Sequence, residues 1–97
     1  MKQDDLLQEL HEAARQLGVT IRYEKGDFEG GYCILKSEKL LLVNKRLLPN
    51  RRASVLALAI NELGLENLFL KPAVRQYIED EATRNRRTNT RVSPHIA

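Results

Sequence analysis

Residues 40–63 read LLLVNKRLLPNRRASVLALAINEL, and this stretch decides the fold. Its first part, residues 40–44, is a short apolar run that ends in Asn44. Such a run is typical of a strand that is covered on both faces or lies centrally in a sheet. We therefore expect this strand to lie at the centre of the domain.

The second part of the same stretch is a helix. Asn50 follows Pro49 directly and is a good N-cap residue, and residues 51–63 have strong helix propensity. Between Val55 and Ile60 the helix is apolar on nearly every side, which is typical of the buried centre of a small domain. A strand followed at once by a buried helix predicts an α+β fold.

The segment before this stretch predicts one helix, with Gly18 placed for a left-handed C-terminal cap. Asp4 or Asp5 is expected to cap its start, and His11 on the polar side is expected to be exposed and without a partner. The helix has one apolar stripe at helical spacing: Leu6, Leu7, Leu10, Ala13, Ala14 and Leu17.

Two further strands are predicted between this helix and residue 40. Residues 19–24 alternate apolar and polar side chains, and residues 32–36 form a second apolar run that contains Cys33, which is expected to be a buried and inert thiol. The glycine-rich residues 24–31 are typical of a hairpin loop, and residues 37–39 of a short turn. Short connections favour a three-stranded antiparallel sheet.

Pro72 opens a last helix, because a proline is favoured at the first helical position. Its acidic run consists of Glu79, Asp80 and Glu81 and is followed by Arg84. This pattern predicts a solvated, ion-paired face of the helix. Its inner face is expected to consist of Val74, Tyr77, Ile78 and Ala82.

The apolar pattern stops near residue 84. Residues 82–97 hold four basic residues and no acidic one, whereas the rest of the chain holds 12 basic and 13 acidic residues. We therefore predict one α+β domain over residues 1–83 and a basic, flexible and disordered tail over residues 84–97.

Length and composition bound the class of protein. Ninety-seven residues are enough for one core, and the longest apolar run has six residues, far below the ~20 of a membrane span. The N-terminus is polar, without the apolar stretch of a signal peptide, and one cysteine cannot form an intramolecular disulfide. The sequence predicts a cytoplasmic protein that does not contact a membrane.

The end of the buried helix carries the pattern Asn61-Glu62-Leu63-Gly64-Leu65. A zincin helix has the form H-E-x-x-H, in which two histidines on one face hold zinc and the glutamate activates water. Here the glutamate and the Leu-Gly pair are kept, and both histidine positions are lost.

The surrounding order is also suggestive: a strand that ends in Asn44, a loop with leucine and proline, Arg51-Arg52, the apolar helix and then the Asn61-Glu62 pair. Over roughly residues 17–70 this order resembles the ImmA/IrrE family of small metallopeptidases. The resemblance implies a shared fold.

The departures from the family pattern matter for function. Asn61 cannot donate an imidazole nitrogen and Leu65 cannot ligate a metal, so Glu62 would have no metal-bound water to activate. The resemblance therefore implies a degenerate, metal-free relative without peptidase activity. The simpler interpretation treats Asn61 and Glu62 as polar residues near the end of a buried helix.

Basic residues provide a different hypothesis. Arginines in the tail and a basic cluster around Pro49 could contact nucleic-acid phosphates, which require charge and little sequence information. No aromatic residue lies among the tail arginines, so base stacking is not indicated. The candidate contacts are Lys45, Arg46, Arg51, Arg52, Arg84, Arg86, Arg87 and Arg91.

The sequence has no recognisable catalytic or metal-binding set and predicts no cofactor. We therefore expect a non-enzymatic binding or regulatory module that acts on an unknown protein partner or forms a homodimer. A single small sheet leaves an edge strand that can pair with a second copy. Nucleic-acid binding and a hydrolase that uses Glu62 remain as alternatives.

Overall fold

A computed structural model of the protein describes residues 2–88. The fold is α+β, as the sequence predicts, with one helix, three strands and two further helices. In chain order the elements are α1 (Gln3–Gln16), β1 (Thr20–Glu24), β2 (Gly30–Leu35), β3 (Glu38–Asn44), α2 (Pro49–Leu63) and α3 (Pro72–Thr88). Among the described residues, no helix combines the length and the apolar character that crossing a membrane requires.

The sheet is mixed, and the prediction of an antiparallel meander is wrong in this detail. The strand order is β1-β3-β2, with β2 antiparallel to β3 and β1 parallel to β3. The predicted central position of β3 is confirmed. The glycine-rich segment after β1 does not close a hairpin. It carries the chain past the end of β3, from β1 at one edge of the sheet to β2 at the other edge.

Asn44, at the end of β3, binds this crossing segment. Its side-chain Nδ2 donates to the backbone carbonyls of Gly26, at 2.8 Å, and Phe28, at 2.7 Å. Its backbone N–H donates to the carbonyl of Glu29 at 2.8 Å, and its Oδ1 accepts from the backbone N–H of Arg46 at 2.9 Å. One asparagine thus satisfies two carbonyls that no strand neighbour reaches.

The hairpin between β2 and β3 turns within two residues. Lys36 and Ser37 have positive φ values of 51° and 69°, as the two-residue turns that match the twist of a hairpin require. Among residues 2–88, the other positive φ values belong to Gly18, at 74°, and Gly64, at 101°, which follow α1 and α2.

The core lies between one face of the sheet and the helices. Leu41 and Val43 of β3 point into it, and so do the partly buried Ile21, Tyr23 and Tyr32 of the flanking strands. Every residue of α2 from Ala53 to Ile60 is buried, which confirms the expected central position of this helix. The largest fully buried side chains are Leu10, Leu41, Leu56, Ile60, Ile78, Val43, Val55 and Val74.

The helix ends differ from the predicted ones. Lys2 and Leu48 are the N-cap residues of α1 and α2, and neither makes a side-chain capping bond, so neither Asp4, Asp5 nor Asn50 acts as the predicted cap. Helix α3 continues through Thr88. Residues 84–88, which the sequence analysis assigns to the flexible tail, are therefore helical, and residues 89–97 lie outside the described part of the chain.

Candidate functional site

The Asn61-Glu62 region is at the C-terminal end of α2. Asn61 and Leu65 are half-buried and Glu62 is exposed. The helix ends at Leu63 and Gly64 has a φ of 101°, so Leu65 lies beyond the last helical turn. Asn61 and Leu65 therefore do not occupy successive turns of one helix, as the two histidines of a zincin helix do.

No metal site is formed by the described residues. Within residues 2–88, no three or more histidine, cysteine, aspartate or glutamate side chains are placed to hold a metal ion. Glu62 lines neither of the two pockets described below. A hydrolase that uses Glu62 would need a second titratable group in a concave site around it, and this alternative stays a prediction.

The predicted basic cluster around Pro49 divides into two kinds of residue. Arg51 forms a bidentate contact with Glu29: Nε donates to Oε2 at 2.8 Å and Nη2 donates to Oε1 at 2.6 Å. These hydrogen bonds raise the pKa of Arg51. Arg52 donates to the carbonyls of Leu47, at 2.9 Å, and Lys45, at 2.7 Å.

Both arginines therefore hold loops within the chain. The two candidate contacts that are exposed in this cluster are Lys45 and Arg46. In the other basic group, Arg84 forms an ion pair with Glu81 at 2.6 Å. The backbone of Arg86 and Arg87 lies in α3, and Arg91 lies outside the described residues. Nucleic-acid binding through these residues stays a prediction.

His11 has a partner, contrary to the sequence-based expectation. Its Nε2 lies 2.6 Å from the hydroxyl of Tyr23, and the two ring centroids are 5.9 Å apart. The guanidinium of Arg52 lies 5.3 Å from the centroid of the same tyrosine ring. Burial lowers the pKa of His11, and burial raises the pKa of Tyr23.

A polar groove lies between α2 and α3, and we call it the helix groove. Its volume is about 380 Å³. At its base the hydroxyl of Ser54 donates to Oε1 of Glu81 at 2.7 Å, and both side chains are buried, with Glu81 only 6% exposed. The groove is lined by Gln3, Asn50, Arg51, Ser54, Leu58, Tyr77, Glu81, Arg84 and Asn85.

Two positive charges lie at the sides of the helix groove. Arg84 binds Oε2 of Glu81, the oxygen that Ser54 does not use, and Arg51 is close enough to Glu81 for their charges to interact. Burial and, to a smaller extent, the Glu81 carboxylate raise the pKa of Tyr77 to about 12, so its hydroxyl keeps its proton near neutral pH. The groove therefore offers both hydrogen-bond donors and acceptors.

Sequence reasoning missed this groove because it placed Glu81 on a solvated face, which is wrong. Glu81 lies seven residues after Val74 and four after Tyr77, in phase with the inner face of α3. Ser54 is the matching polar residue next to the apolar run of α2. The sequence therefore contained an indication of the groove. Glu81 is a charged residue in the apolar phase of α3, and Ser54 is a single serine beside the apolar run of α2.

The second pocket lies on the face of the sheet that points away from the helices, which we call the outer face. It has a volume of about 430 Å³, and its lining includes Leu40, which is only 2% exposed although it does not belong to the main core. Beside it on this face, Leu35 is 55% exposed. Ile34, which is 63% exposed and also borders the pocket, alternates with Leu35 along β2, so its side chain points to the opposite side of the sheet. The pocket is lined by Arg22, Glu24, Cys33, Ile34, Leu35, Leu40 and Leu42.

The rim of the outer face carries one positive and one negative charge on β1. Nη2 of Arg22 lies 3.0 Å from Oε2 of Glu24, and both side chains are about half exposed. Cys33 is a free, half-buried thiol on this face, which corrects the prediction of a buried one. Its exposure follows from its place in β2, an edge strand whose outer side is not covered by a helix.

Comparison with known proteins adds no family to this description. No family model, no curated protein and no solved structure matches the chain.

Proposed function

We propose that this domain is a non-enzymatic binding module, and that its partner is a second copy of the same chain bound through the outer face. The observation that carries the proposal is the exposure of Leu35 and the partial exposure of Leu42 beside the buried Leu40, all three on the outer face. Several neighbouring apolar side chains on one open sheet face are more than the scattered exposed leucines of an ordinary surface.

The charges at the rim favour a second copy over an unrelated protein. In a two-fold symmetric dimer the same patch faces itself, so it must be self-complementary. Arg22 and Glu24 have opposite charges and are two residues apart on one strand, on the same side of the sheet. Two copies related by a two-fold axis can therefore place Arg22 of each copy against Glu24 of the other.

The size of the outer face sets the expected strength of the dimer. Three strands about 4.8 Å apart, each about six residues long, present only a few hundred Å² per copy. Stable interfaces usually bury about 800 Å² per partner. We therefore expect a weak dimer with a dissociation constant in the micromolar range, populated when the protein is concentrated.

The resemblance to the ImmA/IrrE metallopeptidases supports the non-enzymatic part of the proposal. In the sequence pattern, Asn61 and Leu65 correspond to the two zinc ligands of that family, and neither side chain supplies an imidazole nitrogen. A domain without its catalytic metal keeps a folded surface that can serve for binding. The common ancestry itself remains a proposal.

The test is sedimentation velocity over a range from about 1 μM to about 1 mM protein. We expect the weight-average mass to rise towards that of a dimer. Leu35→Lys should abolish this rise, because it places a charge in the apolar patch. Leu48→Lys is the matched control, since Leu48 is exposed and lies outside the outer face. Loss of association in the control as well would contradict the proposed surface.

A charge exchange tests the two-fold arrangement. Arg22→Glu or Glu24→Arg alone should weaken the dimer, because each variant brings like charges together. The double variant with both substitutions should recover most of the association, since the complementary pairs return with their signs reversed. A wild-type protein that stays monomeric over the whole concentration range would overturn the proposal.

A further inference from the structure

The helix groove has the features of a small-molecule site that is separate from the outer face. Its volume of about 380 Å³ lies within the usual range for ligand pockets, about 300–1,000 Å³. Two polar side chains that are more than nine-tenths buried, Ser54 and Glu81, form its base. Burying a carboxylate is costly unless it is paired, so the fold maintains this charge inside the groove with Ser54 and Arg84.

The base of the groove can accept further hydrogen bonds. An ionised carboxylate has about four acceptor positions, and the structure gives Glu81 one contact on each of its two oxygens. The hydroxyl of Tyr77, which keeps its proton, lines the same groove. A ligand with a hydroxyl or an amine therefore meets acceptor groups at this end.

The other side of the groove offers hydrogen-bond donors to an anion. Arg51 uses Nε and Nη2 to bind Glu29, which leaves part of its planar fork of about five N–H donors for another acceptor. The first turn of α2, which contributes Asn50 to the lining, has no acidic residue and no side-chain cap. The backbone N–H groups of Arg51 and Arg52 donate to the carbonyl of Leu48, so what this end offers an anion is the side chain of Asn50 and the part of the Arg51 fork that Glu29 does not use.

We propose that the helix groove binds a small hydroxylated or aminated oxyanion, with the anionic group at Arg51 and Asn50 and the donor group at Glu81. The charge of Glu81 does not exclude such a ligand, because Arg84 offsets it on one oxygen. The acidic group of the ligand is a phosphate or a carboxylate, since a guanidinium fork binds either. This proposal goes beyond the proposed self-association and does not depend on it.

Isothermal titration with four three-carbon or inorganic probes tests the proposal on the full chain. Glycerol supplies only donors and inorganic phosphate only the anion, whereas glycerol 3-phosphate and glycerate supply both. We expect at least one of the last two to bind about tenfold or more tightly than either of the first two, and their order identifies the anionic group. Equal or undetectable binding of all four probes would overturn the proposal.

Variants then separate the two ends of the ligand. Arg51→Gln should weaken the binding of the bifunctional probe and of phosphate alike, by about tenfold. Glu81→Gln, which keeps an acceptor for Ser54, should weaken the bifunctional probe and leave phosphate binding unchanged or stronger. Arg15→Gln removes the same charge on α1, where Arg15 pairs with Glu12 outside the groove, and should change neither. Thermal melts of each variant show whether the fold is intact.

A nucleic acid is the competing occupant, because its phosphates could also bind Arg51. A single-stranded oligonucleotide should bind no more tightly per phosphate than inorganic phosphate does. If it binds far more tightly, with an affinity that falls steeply with salt and depends on residues 84–97, the groove belongs to a nucleic-acid interface and the small-molecule proposal fails.

Discussion

Ser54 Oγ donates a hydrogen bond to Glu81 Oε1 at 2.7 Å in the interior, where it joins α2 to α3. Both side chains are buried, and Arg84 pairs with the second oxygen of the carboxylate at 2.6 Å. No buried side-chain nitrogen or oxygen among the described residues lacks a hydrogen-bond partner. The contact between α2 and α3 is thus partly polar. It depends on Glu81, to which both Ser54 and Arg84 bind.

Removing the serine hydroxyl should destabilise the fold. Ser54→Ala takes one of two partners from a buried carboxylate, and a hydrogen bond to a charged group contributes about 1.5–3 kcal/mol. Alanine offsets part of this loss through its higher helix propensity, so we expect a net decrease of about 1–2 kcal/mol in the free energy of unfolding. Urea denaturation measures it, with Thr83→Ala on the exposed side of α3 as the control. A change equal to that of the control would show that the buried contact contributes nothing.

Asn44, which is only 8% exposed at the end of β3, should be sensitive to substitution. Asn44→Ala leaves the carbonyls of Gly26 and Phe28 without their donor and the crossing segment without its attachment to β3. We expect a loss of about 2–3 kcal/mol in the free energy of unfolding. Asn44→Asp should be at least as harmful, because a carboxylate of the same size cannot donate to either carbonyl.

The control for Asn44 is Asn67→Ala, which changes an exposed asparagine with no part in the sheet. Equal denaturation midpoints for the two alanine variants would contradict the assigned role of Asn44.

The sequence predicted the elements well and their arrangement less well. The type and order of all six elements and the central place of β3 followed from local patterns of apolar side chains. The parallel pairing of β1 with β3 did not, because it joins residues 20 positions apart in the chain. The same is true of the Asn44 side chain, which reaches two carbonyls 16 and 18 residues away. Such contacts leave no periodic signal in one sequence.

The candidate sites divide in the same way. The sequence pointed to Glu62, which is exposed, because a familiar motif surrounds it. It passed over Glu81, because acidic residues beside an arginine are usually solvated on a helix surface. The position of Glu81 in the apolar phase of α3 contained the information, but a charge at such a position acquires meaning only when a partner such as Ser54 is known.

Gly30, the first residue of β2, should not tolerate a larger side chain. A Cβ atom there would lie 2.6 Å from the carbonyl oxygen of Leu42 and 2.6 Å from Cγ1 of Val55. Gly30→Ala must therefore separate β2 from β3 or from α2, and we expect a loss of about 3 kcal/mol in the free energy of unfolding. Chemical denaturation monitored by circular dichroism measures this loss.

Gly18→Ala is the matched comparison for Gly30→Ala. A Cβ at Gly18 meets nothing within 4 Å, and only the positive φ of 74° opposes it, so the cost should be about 1–2 kcal/mol. If Gly18→Ala lowered the free energy of unfolding more than Gly30→Ala does, close packing at Gly30 would not be the dominant effect.

The partial burial of His11 predicts how the stability of the fold depends on pH. Burial lowers the pKa of His11 in the folded protein below its ordinary value of 6.5. Between the lowered value and 6.5, the unfolded chain binds more protons than the folded one, so stability rises with pH in this window. The contribution is present above pH 6.5 and is lost as the pH falls through the folded-state pKa.

His11→Gln should remove this component while leaving an amide that can still reach the tyrosine hydroxyl. The free energy of unfolding, measured by urea denaturation at a series of pH values from about 5 to about 8, should therefore fall more steeply towards acid in the wild type than in the variant. His95 is present in both proteins, so its titration cancels in the comparison. Parallel curves over the whole range would mean that the pKa of His11 is the same in the folded and unfolded states.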